Sequence, residues 1–245
     1  MSRANGLTPL PGACSACAVR PFALFRVVPQ ARIAEVARTR TGVRLVRANE
    51  AIRDGVFTLY AGWAFSWTAT PEGRRQILDF HLPGDLIERA EDGAEVEALT
   101  DASFCVLSRD RLCEFMGREP GLAMAYADNL NRDRARLRER LTSLGRRDAA
   151  GRVAHLLLEL HGRLTRRGGA DARGAALPLK QAHLADALGL SVEHVNRALA
   201  SLRRDGVASL QKGRLDILDR AALEEVAGWS APAATPSMAP QSLVG

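Results

Sequence analysis

The sequence predicts an α+β protein with a strand-rich N-terminal part, one long helix and a C-terminal winged helix-turn-helix. Three observations predict this class. Residues 42–107 alternate apolar and polar side chains over short runs, each bounded by Gly, Asp or Pro. From Pro120 onward, apolar residues recur at steps of three, four or seven, which is the period of a helical face. Residues 179–218 hold two short helical patterns around a glycine, followed by a hairpin pattern.

The N-terminal part divides into an irregular arm, residues 1–25, and a predicted β-roll, residues 26–118. The arm contains three prolines and a Cys-Ser-Ala-Cys motif, which holds two of the four cysteines. Residues 26–39 predict a short helix at the start of the roll. Turn signals, such as the Asp-Gly pair at 54–55, separate the strand patterns that follow. Several short strands with such regular turns predict a small antiparallel barrel or roll.

Residues 119–145 predict a single long helix with an apolar seam. The members of the seam are Leu122, Tyr126, Leu130, Leu137, Leu141 and Leu144. Such a seam packs either within its own chain or against a second copy of the helix. We expect a homodimer, because a helix-turn-helix usually reads a two-fold DNA site as a symmetric pair.

Residues 146–228 predict the winged helix-turn-helix. An amphipathic helix over residues 146–164 and a flexible basic loop over residues 166–174 come first. A short helix then ends at Gly189, which takes the left-handed turn position, and Ser191 caps the second helix. That second helix has an apolar face and a polar face. The apolar face consists of Val192, Val195, Leu199 and Leu202, and the polar face of Glu193, Asn196, Arg197, Arg203 and Arg204.

The polar face and the charge of this region predict double-stranded DNA as the partner. Exposed Glu, Asn and Arg near the start of a short helix can read base edges in a major groove. Residues 146–220 hold 14 Lys and Arg against 8 Asp and Glu, a surplus equal to the net charge of +6 of the whole chain. A hairpin that turns at Lys212-Gly213 forms a wing, which places Lys212 and Arg214 near phosphates. We also expect Ser191, at the start of the second helix, to contact DNA.

Composition argues against several other classes. No apolar run is long enough to span a bilayer, and the N-terminus lacks the apolar core of a signal peptide, so we expect a cytoplasmic protein without membrane contact. Cysteines in a reducing compartment are more often thiols or metal ligands than structural disulfides. No nucleophile–base pair, Gly-rich phosphate loop or metal-hydrolase spacing is present, which argues against an enzyme. Residues 229–245 are rich in Pro, Ala and Ser and predict a disordered tail.

Two segments together resemble the Crp/Fnr superfamily of bacterial transcription regulators, and within it the Fnr/FixK-type branch. They are FHLPGDLI at residues 80–87 and LGLSVEHVNRALASLRRDG at residues 188–206. The resemblance covers residues 26–226. It implies a cyclic-nucleotide-binding-like β-roll as sensor domain, a dimerisation helix and a C-terminal winged helix-turn-helix. It also implies a sequence-specific regulator of transcription that has RNA polymerase as a further partner.

The same resemblance assigns base contacts to the second helix of the motif. In the Fnr-type branch this helix carries a Glu, two further residues and then Ser-Arg, and the matching positions here are Glu193, Asn196 and Arg197. A Glu can accept a hydrogen bond from a cytosine amino group, and an Arg can pair with guanine through two hydrogen bonds. The implied DNA site is a palindrome with TTGA-like half-sites. Asn196 departs from the Ser of the family pattern, which leaves the outer base of the half-site unassigned.

The resemblance also bears on the effector. In the cyclic-nucleotide branch, an Arg-Ser pair and a Glu follow the Gly-Asp/Glu turn and hold the ribose and the phosphate. Residues 84–99 lack the Arg-Ser pair and carry five carboxylates after the turn. These are Glu88, Glu91, Asp92, Glu95 and Glu97. Because a buried phosphate beside unpaired carboxylates is electrostatically costly, we expect no cyclic AMP.

The cysteines indicate a different signal. Oxygen-sensing members of the Fnr type hold a [4Fe–4S] cluster with three N-terminal cysteines and one cysteine in the β-roll. Cys14, Cys17 and Cys105 match that layout, and thiolates bind iron well because they are soft anions. The third N-terminal ligand position falls at Ala23. Cys113 lies on a predicted helix and fits a partly buried structural thiol better than a ligand.

Three alternatives stay open for these cysteines. They hold a cluster, with Cys113 or a non-cysteine group as fourth ligand. They form a redox-sensitive disulfide between Cys14 or Cys17 and Cys105. In the third alternative, the cysteines take no part in control. An alternative of another class is a redox protein whose helix-turn-helix is only a structural hairpin.

Overall fold

The computed structural model describes residues 10–89 and 94–229. The α+β class predicted from the sequence is confirmed, with strands in the N-terminal half, a long helix and a helical C-terminal part that carries a small sheet. The predicted tail beyond residue 229 and the carboxylates Glu91 and Asp92 lie outside the described residues. No helix in the described ranges is both long enough and apolar enough to cross a membrane.

The N-terminal arm and the first residues of the predicted β-roll fold as a series of short 3-10 helices, which lead into the first α-helix. The 3-10 helices are Cys14–Ala16, Arg20–Phe22, Leu24–Val27 and Gln30–Arg32, and helix α1 is Ile33–Thr39. The single helix predicted over residues 26–39 is therefore wrong in its first half. Pro29 is the reason, because a residue before proline avoids the helical region, and Val28 is accordingly extended with ψ 123°.

Eight strands form the β-roll as two four-stranded antiparallel sheets. The strands are β1 Arg40–Val46, β2 Ala51–Ile52, β3 Gly55–Ala61, β4 Ala64–Ala69, β5 Arg75–His81, β6 Leu86–Arg89, β7 Glu95–Ala98 and β8 Ala102–Leu107. The sheet orders are β1-β8-β3-β6 and β2-β7-β4-β5. Alternate side chains such as Phe57, Leu59 and Phe104 point between the sheets and are fully buried.

The turn between β5 and β6 requires its glycine. Gly84 has φ +96°, and a Cβ at this position would overlap the ring of Phe22 from the arm. Only glycine adopts this backbone conformation without strain. The turn therefore brings the arm against the β-roll, next to Asp85.

Three helices follow the β-roll: α2 Arg109–Arg118, α3 Pro120–Arg146 and α4 Ala149–Thr165. Part of the predicted apolar seam of α3 is buried within the chain, and part of it is exposed. Leu122 is fully buried in its own chain, in the cluster that also holds Leu24 and Phe25 of the arm. Leu137 and Leu141 are 47% and 70% exposed, which leaves this part of the seam open to a second copy of the helix.

The C-terminal part is a winged helix-turn-helix built on a four-stranded sheet. Its elements are β9 Ala170–Asp171, β10 Gly174–Ala176, α5 Gln181–Leu188, α6 Val192–Arg204, β11 Ala208–Gln211, β12 Arg214–Ile217 and α7 Arg220–Ala227. The sheet order is β11-β12-β10-β9. The flexible loop predicted over residues 166–174 is wrong, because β9 and β10 form a hairpin that pairs with β12. Arg167, in the same stretch, forms an ion pair with Asp85 of the β-roll.

The helix-turn-helix packs directly on the β-roll. Arg75 on β5 donates from Nε to Asp186 Oδ2 on α5 at 2.8 Å, and the rings of Phe65 and His183 lie 5.9 Å apart. One hydrophobic cluster contains side chains of both parts. The two parts of the chain are therefore coupled through packed side chains, so a change in the β-roll can reach the helix-turn-helix.

Candidate functional site: the helix-turn-helix and the cysteine pocket

The turn between α5 and α6 has the geometry that the sequence predicts. Gly189 ends α5 in the left-handed conformation, with φ 60° and ψ 38°. Ser191 caps α6: the backbone N–H of His194 donates to Ser191 Oγ at 3.3 Å. Both local predictions are confirmed. The Oγ of Ser191 also lies 2.9 Å from Nδ1 of His194. The contact of Ser191 with DNA stays a prediction.

Helix α6 presents one buried face and one polar exposed face. Val195, Ala198 and Leu202 are buried against the rest of the domain. Leu199 is half-buried. Val192 is 39% exposed, so its predicted place on the apolar face is wrong, because the first turn of α6 extends beyond the core.

The exposed face of α6 carries every polar residue that the sequence predicts there. These residues are Glu193, Asn196, Arg197, Arg203 and Arg204. A hydrogen bond from the Ser191 hydroxyl is the main factor that lowers the pKa of Glu193, so this side chain is an anion at neutral pH. An anionic Glu accepts hydrogen bonds only, as pairing with a cytosine amino group requires.

The predicted wing is a β-hairpin with a two-residue turn. Lys212 and Gly213 both have positive φ, 50° and 75°, which is the conformation of a type I′ turn. Lys212 is exposed at the tip. Arg214 is less free, because its Nε donates to Asp216 Oδ1 at 2.8 Å on the same strand.

A second candidate site, the cysteine pocket, lies where the arm meets the β-roll. Three of the cysteines, Cys14, Cys17 and Cys105, line it together with Arg40 and Thr58. All three are half-buried free thiols. Cys14 and Cys17 bracket the first 3-10 helix, and Cys105 on β8 is the register partner of Thr58 on β3. The fold thus joins residues that are about ninety positions apart in the chain.

Burial keeps the thiols of Cys14 and Cys105 largely protonated. It raises the pKa of Cys14 and of Cys105, and the positive charge of Arg40 opposes this effect in both cases. Thr58 Oγ1 is buried in the same region and has no hydrogen-bond partner among the described residues. Sequence reasoning did not single out Arg40 or Thr58, since only strand register brings them to the cysteines.

Comparison with known proteins places these features in a family. A Crp-like helix-turn-helix domain matches residues 151–226. The chain is 31% identical over 184 residues to the nitrogen fixation regulation protein FixK of Azorhizobium caulinodans, with 73% of each chain covered. The chain belongs to the Crp/Fnr superfamily, in its FixK/Fnr branch. Members of this superfamily bind DNA and act as dimers, and the chain is a transcription regulator rather than an enzyme.

Two further Crp/Fnr proteins support the same assignment. The solved structure of FixK2 from Bradyrhizobium japonicum is 28% identical, with a TM-score of 0.70 over 78% of this chain and 98% of that one. The fumarate and nitrate reduction regulatory protein of Vibrio cholerae is 27% identical over 194 residues, with 77% of each chain covered. The resemblance stated from two motifs is confirmed.

The four-cysteine ligand set of a [4Fe–4S] cluster does not fit this Crp/Fnr chain. Within the described ranges, no group of three or more His, Cys, Asp or Glu residues is arranged to hold a metal ion. Ala23, at the expected third ligand position, lines the cysteine pocket with a methyl group. Cys113 is exposed on α2, so its predicted partial burial is wrong, and it does not line the pocket. The pocket therefore offers three thiols and the Thr58 hydroxyl.

Proposed function

We propose that this Crp/Fnr regulator binds, as a homodimer, a palindromic DNA site with TTGA-like half-sites, and that the redox state of its cysteine pocket controls this binding. The observation that carries the redox part is the convergence of Cys14, Cys17 and Cys105 on one pocket. The DNA part is supported by the exposed polar face of α6 and the wing.

DNA reading is assigned to residues on two elements. Glu193 accepts from a cytosine amino group, and Arg197, one helical turn further on, donates two hydrogen bonds to a guanine. Asn196 contacts the outer base of the half-site. Ser191 and the wing residues Lys212 and Arg214 contact phosphates, which fix the position of α6 in the groove.

Dimerisation is assigned to the exposed part of the seam on α3. Leu130, Leu137 and Leu141 follow one another at seven and four residues and are large apolar side chains exposed in the single chain. Pairing with the same face of a second copy buries them. It also sets the two α6 helices about 34 Å apart, the distance between successive turns of a major groove.

The redox step is formation of a disulfide between Cys105 and Cys14 or Cys17. With hydrogen peroxide as oxidant, two S–H bonds and the O–O bond break, one S–S bond forms, and two water molecules leave. Cys14 packs on the cluster that contains Leu24 and Leu122. A disulfide that ties the arm to β8 therefore changes the packing of α3, and with it the spacing of the two α6 helices.

A [4Fe–4S] cluster, as implied by the family resemblance, would need a fourth ligand besides the three pocket cysteines. The free volume of the pocket is about 40 Å³, a few times the ~10–15 Å³ that one water molecule needs. A disulfide needs no added group, because it joins two thiols that already line the pocket. Iron and acid-labile sulfide per chain, measured on protein purified without oxygen, separate the two modes. Absence of both iron and sulfide supports the disulfide. About four of each per chain, with a visible absorbance that air bleaches, would support a cluster in its place.

DNA affinity before and after oxidation tests the redox control. Fluorescence anisotropy with the labelled palindrome is measured on reduced protein, on protein treated with hydrogen peroxide, and after dithiothreitol. We expect peroxide to change the Kd about tenfold or more and dithiothreitol to reverse the change. Cys113→Ser should respond like the unchanged protein, whereas the Cys14→Ser/Cys17→Ser/Cys105→Ser variant should not respond. A response that persists in the triple variant contradicts the proposal.

A further inference from the structure

Thr58 has a buried hydroxyl that the fold leaves without a partner. The residue is 5% exposed, and its Oγ1 makes no hydrogen bond with any described residue. Burying a hydroxyl without a hydrogen bond lowers stability, and a valine would fill the same space without that loss. Thr58 lines the cysteine pocket, where a small polar molecule would supply the missing partner. The unpaired hydroxyl therefore points to a ligand in this pocket.

Strand register sets Cys105 beside this hydroxyl. Cys105 on β8 is the register partner of Thr58 on β3, so the two side chains are neighbours on one face of the sheet. Arg40 on β1 pairs with Leu107, two residues after Cys105, and so lies on the same face. A thiol, a hydroxyl and a guanidinium thus meet in the cysteine pocket.

The guanidinium of Arg40 is available to a negative charge on Cys105. Arg40 forms no ion pair with any described residue, and its Nη1 donates to a neutral acceptor, the carbonyl oxygen of Gly12, at 2.9 Å. Burial raises the pKa of Cys105, and a hydrogen bond from Arg40 is the largest of the effects that oppose it. At Cys14, Arg40 acts through its charge alone. Arg40 therefore favours the thiolate of Cys105, which is the form that attacks an oxidant.

Building on the redox control proposed above, we propose that Cys105 is the thiol that attacks hydrogen peroxide, and that Thr58 and Arg40 hold the peroxide against it. Hydrogen peroxide both donates and accepts hydrogen bonds, as does the Thr58 hydroxyl, so each satisfies the other. The free volume of the pocket is about 40 Å³, which admits a molecule slightly larger than water but no bulky organic peroxide.

The reaction has two steps, each of which releases one water molecule. In the first, Sγ of Cys105 attacks one peroxide oxygen: an S–O bond forms, the O–O bond breaks, and the leaving oxygen takes up the thiol proton. Sulfur is oxidised to a sulfenic acid by the two electrons that reduce the peroxide. Arg40 and Thr58 stabilise the negative charge that develops on the leaving oxygen. In the second step, the thiol of Cys14 or Cys17 attacks the sulfenic sulfur, so that an S–S bond forms and the S–O bond breaks.

The rate of sulfenic acid formation at Cys105 tests this site. In the full-length Cys14→Ser/Cys17→Ser/Cys113→Ser variant, the single-thiol variant, Cys105 is the only cysteine and no second thiol resolves the product. Its reaction with hydrogen peroxide is followed by trapping with dimedone and mass spectrometry. The matched Cys105→Ser/Cys113→Ser variant keeps the two cysteines of the arm and should react at least about tenfold more slowly.

Changes at the two neighbours separate their roles. In the single-thiol variant, Thr58→Val should slow the reaction with peroxide about tenfold. It should leave the reaction with iodoacetamide, which needs the thiolate alone, within about twofold. Arg40→Met should slow both reactions, because fewer Cys105 thiols are ionised, and Arg40→Lys should restore part of each rate. Thr41→Val and Arg53→Met make the same changes at exposed positions outside the pocket and should alter neither rate by more than about twofold.

Thermal denaturation shows whether a slower variant is only a less stable one. Thr58→Val should melt no lower than its parent, because it removes a buried hydroxyl that has no partner. The site is overturned if the single-thiol variant reacts no faster than Cys105→Ser/Cys113→Ser. It is also overturned if Thr58→Val leaves the reaction with peroxide unchanged or slows the reaction with iodoacetamide equally.

Failure of this site and failure of the proposed redox control give different results. If Cys14 or Cys17 reacts first, peroxide still changes the DNA affinity of the unchanged protein, and only the assignment of Cys105 is wrong. If peroxide leaves the DNA affinity unchanged while Cys105 is oxidised with the expected dependence on Arg40 and Thr58, the site stands and the redox control of DNA binding fails.

Discussion

Replacing Arg163 by methionine breaks the ion network between the β-roll and α4. The Arg163 side chain is 3% exposed and lies 2.8 Å from Asp85 and 3.1 Å from Asp79. Methionine is also long and unbranched but carries no charge, so both carboxylates lose a shared cation while they stay largely buried. Removing one partner of a buried pair costs roughly 3–5 kcal/mol. Arg136 and Arg167 still face these carboxylates, so we expect the lower end, about 3 kcal/mol at neutral pH.

The dependence of this loss on pH follows from the two carboxylates. Burial alone would raise the pKa of Asp79 and Asp85, but the charge of Arg163 and other nearby cations outweighs it, and both pKa values lie below the usual range. Their contribution to stability is therefore complete above the unfolded pKa of about 3.9 and is lost as pH falls through the folded-state values. Without Arg163, burial raises both pKa values relative to the unchanged protein. The stability deficit of the variant should then shrink toward about pH 4.

Urea unfolding, followed by tryptophan fluorescence and circular dichroism, measures both effects. Arg173→Met makes the same change at an exposed arginine and should alter the free energy of unfolding by no more than about 0.5 kcal/mol. A deficit below about 1 kcal/mol at neutral pH for Arg163→Met would contradict the role assigned to this ion network. A deficit that grows as the solution is acidified would contradict it as well.

Changes at the DNA face, the long helix and the β-roll each have a distinct expected outcome. Arg197→Ala should cost about 1–3 kcal/mol of preference for the palindrome, whereas Lys212→Ala should weaken binding to all sequences alike, both measured by anisotropy at fixed salt. Leu141→Glu puts a charge on the exposed seam, and sedimentation should show monomers that unfold like the unchanged chain. Gly84→Ala strains a backbone at φ +96° and overlaps the ring of Phe22, so thermal denaturation should show a loss of more than about 1 kcal/mol. Unchanged preference, persistent dimers or unchanged melting, respectively, would contradict these expectations.

The helix-turn-helix was predictable because its signals are local. Gly189 takes a left-handed conformation that favours glycine, and Ser191 caps the helix that begins at the next residue. Each depends on neighbours within four positions in the chain. The wing is equally local, since Lys212 and Gly213 alone make its turn.

Features that depend on distant partners were not predictable. The stretch around Arg167 reads as a flexible basic loop, but its partner Asp85 lies 82 positions away. The cysteine pocket was anticipated only through the family resemblance, and its Arg40 and Thr58 follow from strand register.

Sequence-specific DNA binding is measured as the affinity of the reduced protein for the TTGA palindrome, compared with a duplex of the same composition in scrambled order. Both are measured by fluorescence anisotropy at one physiological salt concentration, with sedimentation to count protomers per duplex. We expect two protomers on the palindrome and an affinity about 10³-fold or more above that for the scrambled duplex. Equal affinities for the two duplexes would contradict it and would favour a redox protein that does not read DNA.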